Sequence, residues 1–356
     1  MPKWLPLIYG SDIDKQLANH TSMATKKITL SILDQSIVHK ESNPRQAIEA
    51  TIATAKLAER LGYERFWVSE HHNSTFIAGS APEVLIVKLA DETSRIRVGS
   101  GGIMLPNHSA FKVAENFRLL ETLFPGRIDL GMGRAPGGDR ISASLLNPSN
   151  TFSEADYLLQ LEQLQLFFTD TAVSKFGPLL AVPQATTIPE QWILSSSGGS
   201  ASIAAKFGMG LAVAKFINGF AGKDIVDTYR DKFIPSAQLP SPKELVAITV
   251  LCADTEAKAR EMRRFTDYVL LQFEKGNFDQ IGDAAAANNY EFSADDLKRV
   301  ANNSGRVISG TKEQVKQQVM QLSDELDIHE IMASCMAYRQ EDRIRSFELL
   351  AEVFGC

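Results

Sequence analysis

The sequence predicts an α/β fold, a (β/α)8 TIM barrel with insertions. Short β-branched runs alternate with helical patterns from Lys27 onward, and eight strand candidates can be counted, most of them followed by a helix. No change in composition marks a linker between two domains. Parallel strands buried on both faces must be apolar and need helical crossovers, so a closed barrel is the most economical arrangement. The alternative is an open, doubly wound sheet, but the best glycine-rich turn lies late in the chain and lacks the G-x-G-x-x-G pattern.

Composition excludes several classes of protein. The chain has 356 residues, with 37 Lys and Arg against 43 Asp and Glu, and its formal charge of −6 does not favour a polyanion as a partner. No apolar run reaches the roughly 18 residues of a membrane span. The three cysteines lack the spacing of a disulfide framework or a zinc site. We therefore expect a globular, cytoplasmic protein that binds neither nucleic acid nor membrane.

The first half of the predicted barrel shows clear helix signals between its strands. Asn43 and Pro44 supply a helix cap and a first-turn proline, and Gly62 ends that helix. A later helix, 110–124, carries an apolar stripe and is stopped by a Pro-Gly pair. The four strands are predicted at residues 28–33, 65–69, 96–99 and 128–132.

The second half continues the pattern, with strands predicted at residues 192–194, 211–214, 245–252 and 330–334. Two stretches do not fit the repeat: about 139–187, a long fourth unit, and about 272–305, which is polar and alanine-rich. Long loops are commonly functional, so 272–305 is a candidate lid. Residues 1–25 show no periodicity and are interpreted as a leader outside the fold, which leaves 26–356 as one barrel domain.

A histidine pair follows the second strand, in the segment Ser69-Glu70-His71-His72-Asn73. The carboxyl ends of barrel strands face the active site, so this segment lies where catalytic groups are found. Adjacent residues on an extended chain point to opposite sides, so Glu70, His71 and His72 cannot all reach one metal ion, and we predict no metal site. One histidine is expected to line the pocket as an acid–base group or hydrogen-bond donor. A structural role in barrel packing is the alternative.

Two features follow the next strands. Gly101 and Gly102 let the backbone approach a flat ligand or take a conformation that a Cβ would forbid, and a barrel-corner bulge is an equal alternative. Just beyond the fourth strand, Arg134 is flanked by small residues, a setting that suits a cation meeting an anionic ligand. A surface ion pair between Arg134 and Asp139 is the alternative.

The fifth strand runs directly into the segment 195–200 (SSSGGS) and a helix. Free N–H groups at a helix start, small residues and several hydroxyls make a phosphate cradle without a lysine. A plain helix cap is the alternative, but a cap accounts for one serine and not for the other serines and the two glycines. The sequence therefore favours phosphate binding at this helix start.

Three blocks of the sequence resemble the bacterial luciferase-like flavin monooxygenases, in their non-luminescent branch. These blocks are residues 61–72 (LGYERFWVSEHH), 98–106 (VGSGGIMLP) and 125–134 (PGRIDLGMGR). The 195–200 loop and residues 306–311 (RVISGT) are also similar, so the resemblance runs from about Ile28 to the C-terminus. Gly133 stands where luciferase itself has a reactive cysteine, and Ser196 where it has a glutamate. We therefore expect flavin binding without light emission.

The resemblance implies a barrel that binds reduced FMN at the carboxyl ends of its strands, with His71 as the active-site histidine. It also implies a non-proline cis peptide between Gly101 and Gly102, beneath the flavin ring. Arg134 and the serines of the 195–200 loop match the family's phosphate contacts. The expected cofactor-binding residues are Glu70, Gly101, Gly102, Arg134, Ser196, Ser197, Gly198, Gly199 and Ser200.

The activity that the resemblance implies is the oxidation of a small organic substrate by O2, with reduced FMN supplied by a separate flavin reductase. A mobile 272–305 segment would keep water out while His71 hydrogen-bonds the reacting oxygen or moves its proton. A homodimer packed through barrel helices is also implied. Two alternatives stay open: a hydride-transfer enzyme that uses the deazaflavin F420 on the same barrel, and a flavin-binding protein without turnover.

Overall fold

Eight parallel strands close into a barrel in the computed structural model, which describes residues 27–355. The strands are β1 Thr29–Asp34, β2 Arg65–Val68, β3 Arg97–Met104, β4 Ile128–Gly133, β5 Glu190–Ser195, β6 Gly210–Ala214, β7 Glu244–Cys252 and β8 Glu330–Ser334. Each strand pairs with its neighbours in sequence, and β8 pairs with β1, which closes the ring. All eight lie where strands are predicted. The (β/α)8 barrel is therefore confirmed, and the open, doubly wound sheet is wrong.

Helices follow the strands and cover the outside of the barrel. They are α1 Pro44–Leu61, α2 Pro82–Asp91, α3 Ala110–Leu123, α4 Arg140–Leu146, α5 Glu154–Phe168, α6 Gly198–Phe207, α7 Lys223–Lys232, α8 Glu256–Lys275, α9 Ala284–Asn289, α10 Ala294–Asn302, α11 Lys312–Leu326 and α12 Gln340–Phe354. The signals read for α1 are present. Asn43 and Gln46 form a capping box at its start, and Gly62 ends it in the left-handed region with φ 83°.

Two tryptophans fill the inside of the barrel. Trp67 of β2 and Trp192 of β5 are fully buried and meet edge to face, with ring centroids 5.6 Å apart. Leu33, Leu245 and Met332 pack around them in the same apolar cluster. Because these side chains plug the barrel interior, open space is left only toward the carboxyl ends of the strands.

A buried ionic layer closes the opposite end of the barrel. The guanidinium of Arg65 lies 2.7 Å from Asp129 Oδ2, 2.6 Å from Glu330 Oε1 and 3.2 Å from Glu190 Oε1. Trp67 Nε1 also donates to Asp129 Oδ2 at 2.8 Å. Burial opposes the charged forms, but these contacts raise the pKa of Arg65 and lower the pKa of Asp129. The layer joins four strands through one buried cation.

The two stretches outside the β-α repeat each contain two or more helical segments. Residues 139–187 contain α4, α5 and a small hairpin, and α5 packs against α3. Residues 272–305 contain the end of α8, then α9 and α10. They share a second apolar cluster with the loops after β1 and β2, formed by Ile37, Phe76, Ile77, Phe265, Tyr268, Val269, Ile281 and Ala287.

One strand of the sheet has no counterpart among the predictions. Val307–Gly310 pairs with the last residues of β7, from Thr249 to Cys252, beyond the part of β7 that pairs with β6. The predicted leader, residues 1–25, lies outside the described residues. Between residues 27 and 355, no helix combines the length and the apolar character needed to cross a bilayer.

Candidate active site

A cavity of about 890 Å³ opens at the carboxyl ends of the barrel strands. Trp67 and Met332 form part of its floor inside the barrel, and the loops after the strands form its walls. Its volume is in the range of small-molecule and cofactor sites. Of the predicted site residues, those that line it are His71, Gly101, Arg134, Ser196, Ser197 and Ser200. Those that do not line it are Glu70, Gly102, Gly198 and Gly199.

His71 is a largely buried histidine in the cavity wall. Its Nδ1 lies 3.1 Å from Ser69 Oγ, and its backbone N–H donates to Gly79 O at 2.8 Å. Burial lowers the pKa of His71 to about 4, against the opposing effect of Glu70. The imidazole is therefore uncharged at neutral pH, with one ring nitrogen as a donor and the other as an acceptor.

Glu70 lies behind the cavity wall and does not reach the cavity. Its buried carboxylate accepts the backbone N–H of Met104 at 2.8 Å and the side-chain amide of Asn107 at 3.0 Å. His72 Nε2 lies 2.7 Å from Oε1, and His108 Nε2 lies 3.0 Å from both oxygens. Burial favours the neutral acid, but these partners hold the pKa of Glu70 below its usual value. Glu70 supports the cavity loops and does not line the cavity, and its contact with a cofactor stays a prediction.

The network around Glu70 extends to the loop after β4. Asn107 Nδ2 donates to Pro136 O at 2.8 Å, and the backbone N–H of His72 donates to Gly137 O at 3.0 Å. Three loops, which follow β2, β3 and β4, are thereby tied to one carboxylate. Several cavity-lining residues lie on these loops. Their positions therefore depend on the carboxylate of Glu70, although Glu70 does not line the cavity.

The Gly101–Gly102 peptide is cis, as the resemblance implies. A Cβ on Gly101 would lie 2.9 Å from both Leu33 Cδ1 and Trp67 Cε3, too close for any side chain. The register between β3 and β4 also shifts between Gly101 and Ile103. Both alternatives read from the sequence are therefore present: the backbone approaches the cavity, and the strand is irregular at this point.

The start of α6 faces the cavity without a side-chain cap. Ser197 occupies the cap position but accepts no hydrogen bond there, so no side chain of this residue satisfies the first-turn N–H groups. Ser196, Ser197 and Ser200 line the cavity. Gly198 and Gly199 are exposed, and a Cβ on either would meet nothing within 4 Å. Packing thus does not demand glycine here, and the exposed backbone is open to a ligand.

Arg134 lines the cavity just beyond β4. Its Nη1 lies 2.9 Å from Glu154 Oε2, and both side chains are exposed. Asp139, the partner considered from the sequence, instead accepts from Asn73 Nδ2 at 2.6 Å and caps α4. The alternative of a surface ion pair is therefore right in kind but wrong in its partner, because Asp139 is engaged with its own helix start and Arg134 pairs with Glu154. Arg134 can still turn to an anion, since an exposed ion pair is weak.

One wall of the cavity comes from α4 and the loop after it, which sequence reasoning missed. The lining residues of this wall are Arg140, Ala143, Ser144, Asn147, Pro148, Asn150, Thr151 and Phe152. The first four recur at helical spacing, a signal that the sequence does contain. Among the described residues of 272–305, none lines the cavity. The role of 272–305 as a lid stays a prediction.

The charge of the lining is one-sided. It contains two arginines, and none of its residues is Asp or Glu. Within residues 27–355, no cluster of three His, Cys, Asp or Glu side chains is arranged to hold a metal ion. The chain as a whole has a formal charge of −6. Among the described residues, no Asp or Glu therefore lines the cavity, although Glu154 pairs with Arg134 at its edge. Such a lining suits anionic ligands.

A barrel with a cavity at the carboxyl ends of its strands is the architecture of barrel enzymes. The family model of the luciferase-like monooxygenases matches residues 28–327, and the chain belongs to this family. The protein is thus an oxidoreductase of the luciferase-like class.

Individual relatives cover nearly the whole barrel. N-acetyl-S-alkylcysteine monooxygenase of Bacillus subtilis (strain 168) is 35% identical over 332 residues, 91% of this chain and 98% of the relative. The crystal structure of apo-MsnO8 is 35% identical, with a TM-score of 0.84 over 92% of this chain and 98% of that one. An FMN complex, the oxygenating constituent of 3,6-diketocamphane monooxygenase from Pseudomonas putida, shares the fold. Its TM-score is 0.70 at 17% identity, over 92% of this chain and 98% of that one.

Proposed function

We propose that this protein is a monooxygenase that uses reduced FMN and O2 to oxidise a small organic substrate, with His71 as its catalytic residue. One observation carries the proposal: Arg134 and the uncapped start of α6 open into the same cavity as His71 and the backbone of Gly101. FMN has a phosphate at one end and a flat ring at the other. A single cavity with an anion site and a glycine surface suits that molecule.

The residues present fit the phosphate of FMN. The groups that would hold it are the guanidinium of Arg134, the hydroxyls of Ser196, Ser197 and Ser200, and the N–H groups of Gly198 and Gly199. The positive end of the helix dipole and the exposed glycine backbone favour an anion at this place. Binding energy gained at the phosphate then anchors the ring without contact to the reacting atoms.

The residues also fit the flavin ring. The Gly101–Gly102 backbone forms a surface without side chains, because a Cβ on Gly101 would collide with Leu33 and Trp67. Leu33, Trp67 and Met104 supply apolar contacts beside that surface. A flat, mainly apolar ring requires such a site, in which water is displaced from both of its faces.

We assign to His71 a hydrogen bond to the reacting oxygen. Bound reduced flavin would supply the two electrons with which O2 is activated. When Ser69 Oγ donates to Nδ1, the N–H of the neutral imidazole is at Nε2, from which it can donate a hydrogen bond to an oxygen atom. The lowered pKa keeps this ring neutral, so it does not add a charge to the apolar part of the cavity.

We further propose that the reduced flavin comes from a separate flavin reductase, because the phosphate-binding groups are exposed at the cavity mouth. Ser197, Gly198 and Gly199 are all exposed, so FMN can enter with its ring first and leave with its phosphate first. A homodimer packed through barrel helices and a cytoplasmic location complete the proposal.

Titration of the purified protein with FMN, riboflavin and F420 tests the choice of cofactor. We expect FMN to bind more tightly than riboflavin and F420. Tight binding of F420 alone would replace the proposal with the hydride-transfer alternative. No binding of either cofactor would refute it.

Oxygen consumption with enzymatically supplied reduced FMN tests the reaction. The Bacillus subtilis relative is named for its action on N-acetyl-S-alkylcysteines. The first substrate panel should therefore contain S-alkyl compounds as well as aldehydes. We expect one member of the panel to accelerate oxygen use, and His71→Asn to abolish the acceleration while FMN still binds. Binding without any accelerated turnover would favour the flavin-binding protein without catalysis.

A further inference from the structure

A second cation lines the cavity. Arg140 is the first residue of α4. It is exposed, and within residues 27–355 its guanidinium makes no ion pair and no hydrogen bond, whereas Arg134 is paired with Glu154 at 2.9 Å. The neighbouring Asp139 is occupied by its own helix start and by Asn73. Among the described residues, nothing therefore competes with an anionic ligand for Arg140.

The orientation of α4 directs Arg140 to the cavity. Arg140, Ala143, Ser144 and Asn147 recur at i, i+3, i+4 and i+7, and all four line the cavity. The opposite face of the helix is in solvent, with Ile141 73% and Leu145 77% exposed. One face of α4 is thus committed to the cavity, and Arg140 is the charged end of that face.

The phosphate of FMN does not account for both arginines. In the proposed function Arg134 shares the phosphate with the start of α6, a group of N–H and hydroxyl donors that is already large. A phosphate dianion could balance both arginines in charge, but its oxygens are already matched by these donors, so the phosphate does not require Arg140. An exposed arginine in a cavity wall that contains no Asp or Glu can therefore bind a second anionic group.

The apolar part of the cavity lining defines the rest of that ligand. Apolar side chains of the same cavity, Phe152, Phe216 and Ile217, would contact a hydrocarbon arm. We propose that Arg140 binds the anionic group of the substrate, and that the substrate is a small organic acid, a carboxylate or sulfonate, with an apolar arm. The assignment rests on the proposed function, because the flavin is expected to occupy the Arg134 end of the cavity.

Binding of matched acids and amides tests the substrate class. The probes are 4-phenylbutanoate, 4-phenylbutane-1-sulfonate and the uncharged 4-phenylbutanamide, titrated calorimetrically into the FMN-loaded protein. We expect at least one acid to bind about tenfold or more tightly than the amide, the size of a charge-assisted hydrogen bond. A preference for the carboxylate or the sulfonate then identifies the anion. Equal binding of the acids and the amide, or no binding by either acid, overturns the proposal.

Variants of Arg140 test the residue. Arg140→Gln should remove the preference for the acid and leave amide binding and FMN binding unchanged, and Arg140→Lys should keep part of the preference. Arg95→Gln is the matched control, since Arg95 is also exposed but precedes β3 at the other end of the barrel. A loss of acid binding in Arg95→Gln equal to that in Arg140→Gln would indicate net charge alone and would overturn the proposal.

Failure of this proposal can be told apart from failure of the proposed function. If Arg140→Gln weakens FMN but not riboflavin, Arg140 is a phosphate ligand and the anion site is wrong, while flavin binding stands. If wild-type protein binds no FMN, the proposed function fails. In that case the acids and the amide are titrated into the flavin-free protein. Tighter binding of an acid than of the amide would still support Arg140 as an anion site, and equal binding would overturn it.

Discussion

Arg134 carries the charged part of the proposed phosphate site, so its removal should separate FMN from riboflavin. We expect Arg134→Ala to weaken FMN about tenfold or more and to leave riboflavin nearly unchanged, because only FMN has the phosphate. Fluorescence titration with the two flavins measures both affinities. Equal losses for both would show that Arg134 does not contact the phosphate.

Glu154 supplies the opposite control for this prediction. It neutralises Arg134 in the flavin-free protein and would lie near the phosphate of bound FMN. Glu154→Gln should therefore tighten FMN severalfold, since it removes both a competing partner and a like charge. Glu162→Gln, on the outer part of the same helix and paired with Lys206, should leave FMN affinity unchanged.

His71 also links the stability of the protein to pH. Its pKa is about 4 in the folded protein and about 6.5 in an unfolded chain, so between these values the unfolded state binds the extra proton. Stability should therefore fall as the pH is lowered from 6.5 toward 4, with a contribution from His71 that approaches ~3 kcal/mol. Urea unfolding at pH 7 and pH 4.5 measures it.

His71→Asn should reduce that loss of stability, because asparagine does not titrate. His39 gives an independent comparison, since burial lowers its pKa to about 4 as well. His39→Asn should reduce the loss by a similar amount, and the two effects should add. A wild-type protein as stable at pH 4.5 as at pH 7 would contradict the buried, neutral state of both rings.

At the scale of elements, the two insertions differ in what they contact. α4 and the loop to Phe152 form a cavity wall, but α4 has only Ala143 buried among its residues. The 272–305 segment packs on its own apolar cluster, with Ile281 and Ala287 buried. A helix with few buried contacts opens more easily than one seated on a cluster. α4 is therefore a second candidate, beside residues 272–305, for a mobile lid over the cavity.

Hydrogen exchange with and without FMN distinguishes the two insertions. We expect flavin binding to protect amides of residues 139–152 strongly and those of residues 272–305 weakly, because the lining residues lie in the first segment. Helix α7, none of whose residues lines the cavity, provides a reference that ligand binding should leave unchanged. Stronger protection of 272–305 than of 139–152 would instead support the lid predicted from the sequence.

At the scale of the whole molecule, the ionic layer around Arg65 joins strands that are distant in sequence. Arg65→Met leaves Asp129, Glu190 and Glu330 without their shared cation. We expect a loss of unfolding free energy of ~3 kcal/mol or more, because Glu330 loses its cation and the buried Asp129 keeps only Arg97, and an underpaired buried charge is strongly unfavourable. Chemical unfolding measures it. Arg97→Met, at a partly exposed member of the layer, should cost less, and equal losses would contradict the effect of burial.

The sequence predicted all eight barrel strands because each is a short apolar run bounded by turn or cap signals. Asn43, Pro44 and Gly62 marked the ends of α1 by chemistry that acts within a few residues. The strand Val307–Gly310 escaped prediction because only two of its four residues, Val307 and Ile308, are apolar, and it only extends the edge of β7. So short an apolar run gives no strand signal by itself.

For the candidate site, the sequence identified the positions but not the directions of the side chains. His71 and Arg134 reach the cavity as predicted, yet Glu70, beside His71, points behind the wall. Neighbours on an extended segment face opposite sides, and the sequence does not say which side is the cavity. The sequence does not predict Arg140 and Phe152 as site residues, because α4 and the loop after it contain no recognisable binding motif.

The amino-acid sequence by itself determined the barrel, the family and the residues that end the strands, since these depend on local apolar patterns and short motifs. Only the tertiary structure decided which of those residues meet. It placed Arg134 opposite Glu154, withdrew Glu70 into a network with His72 and His108, and turned one face of α4 into the cavity. The physical reason is that burial and pairing of charges depend on contacts between distant segments, which form only when the barrel closes.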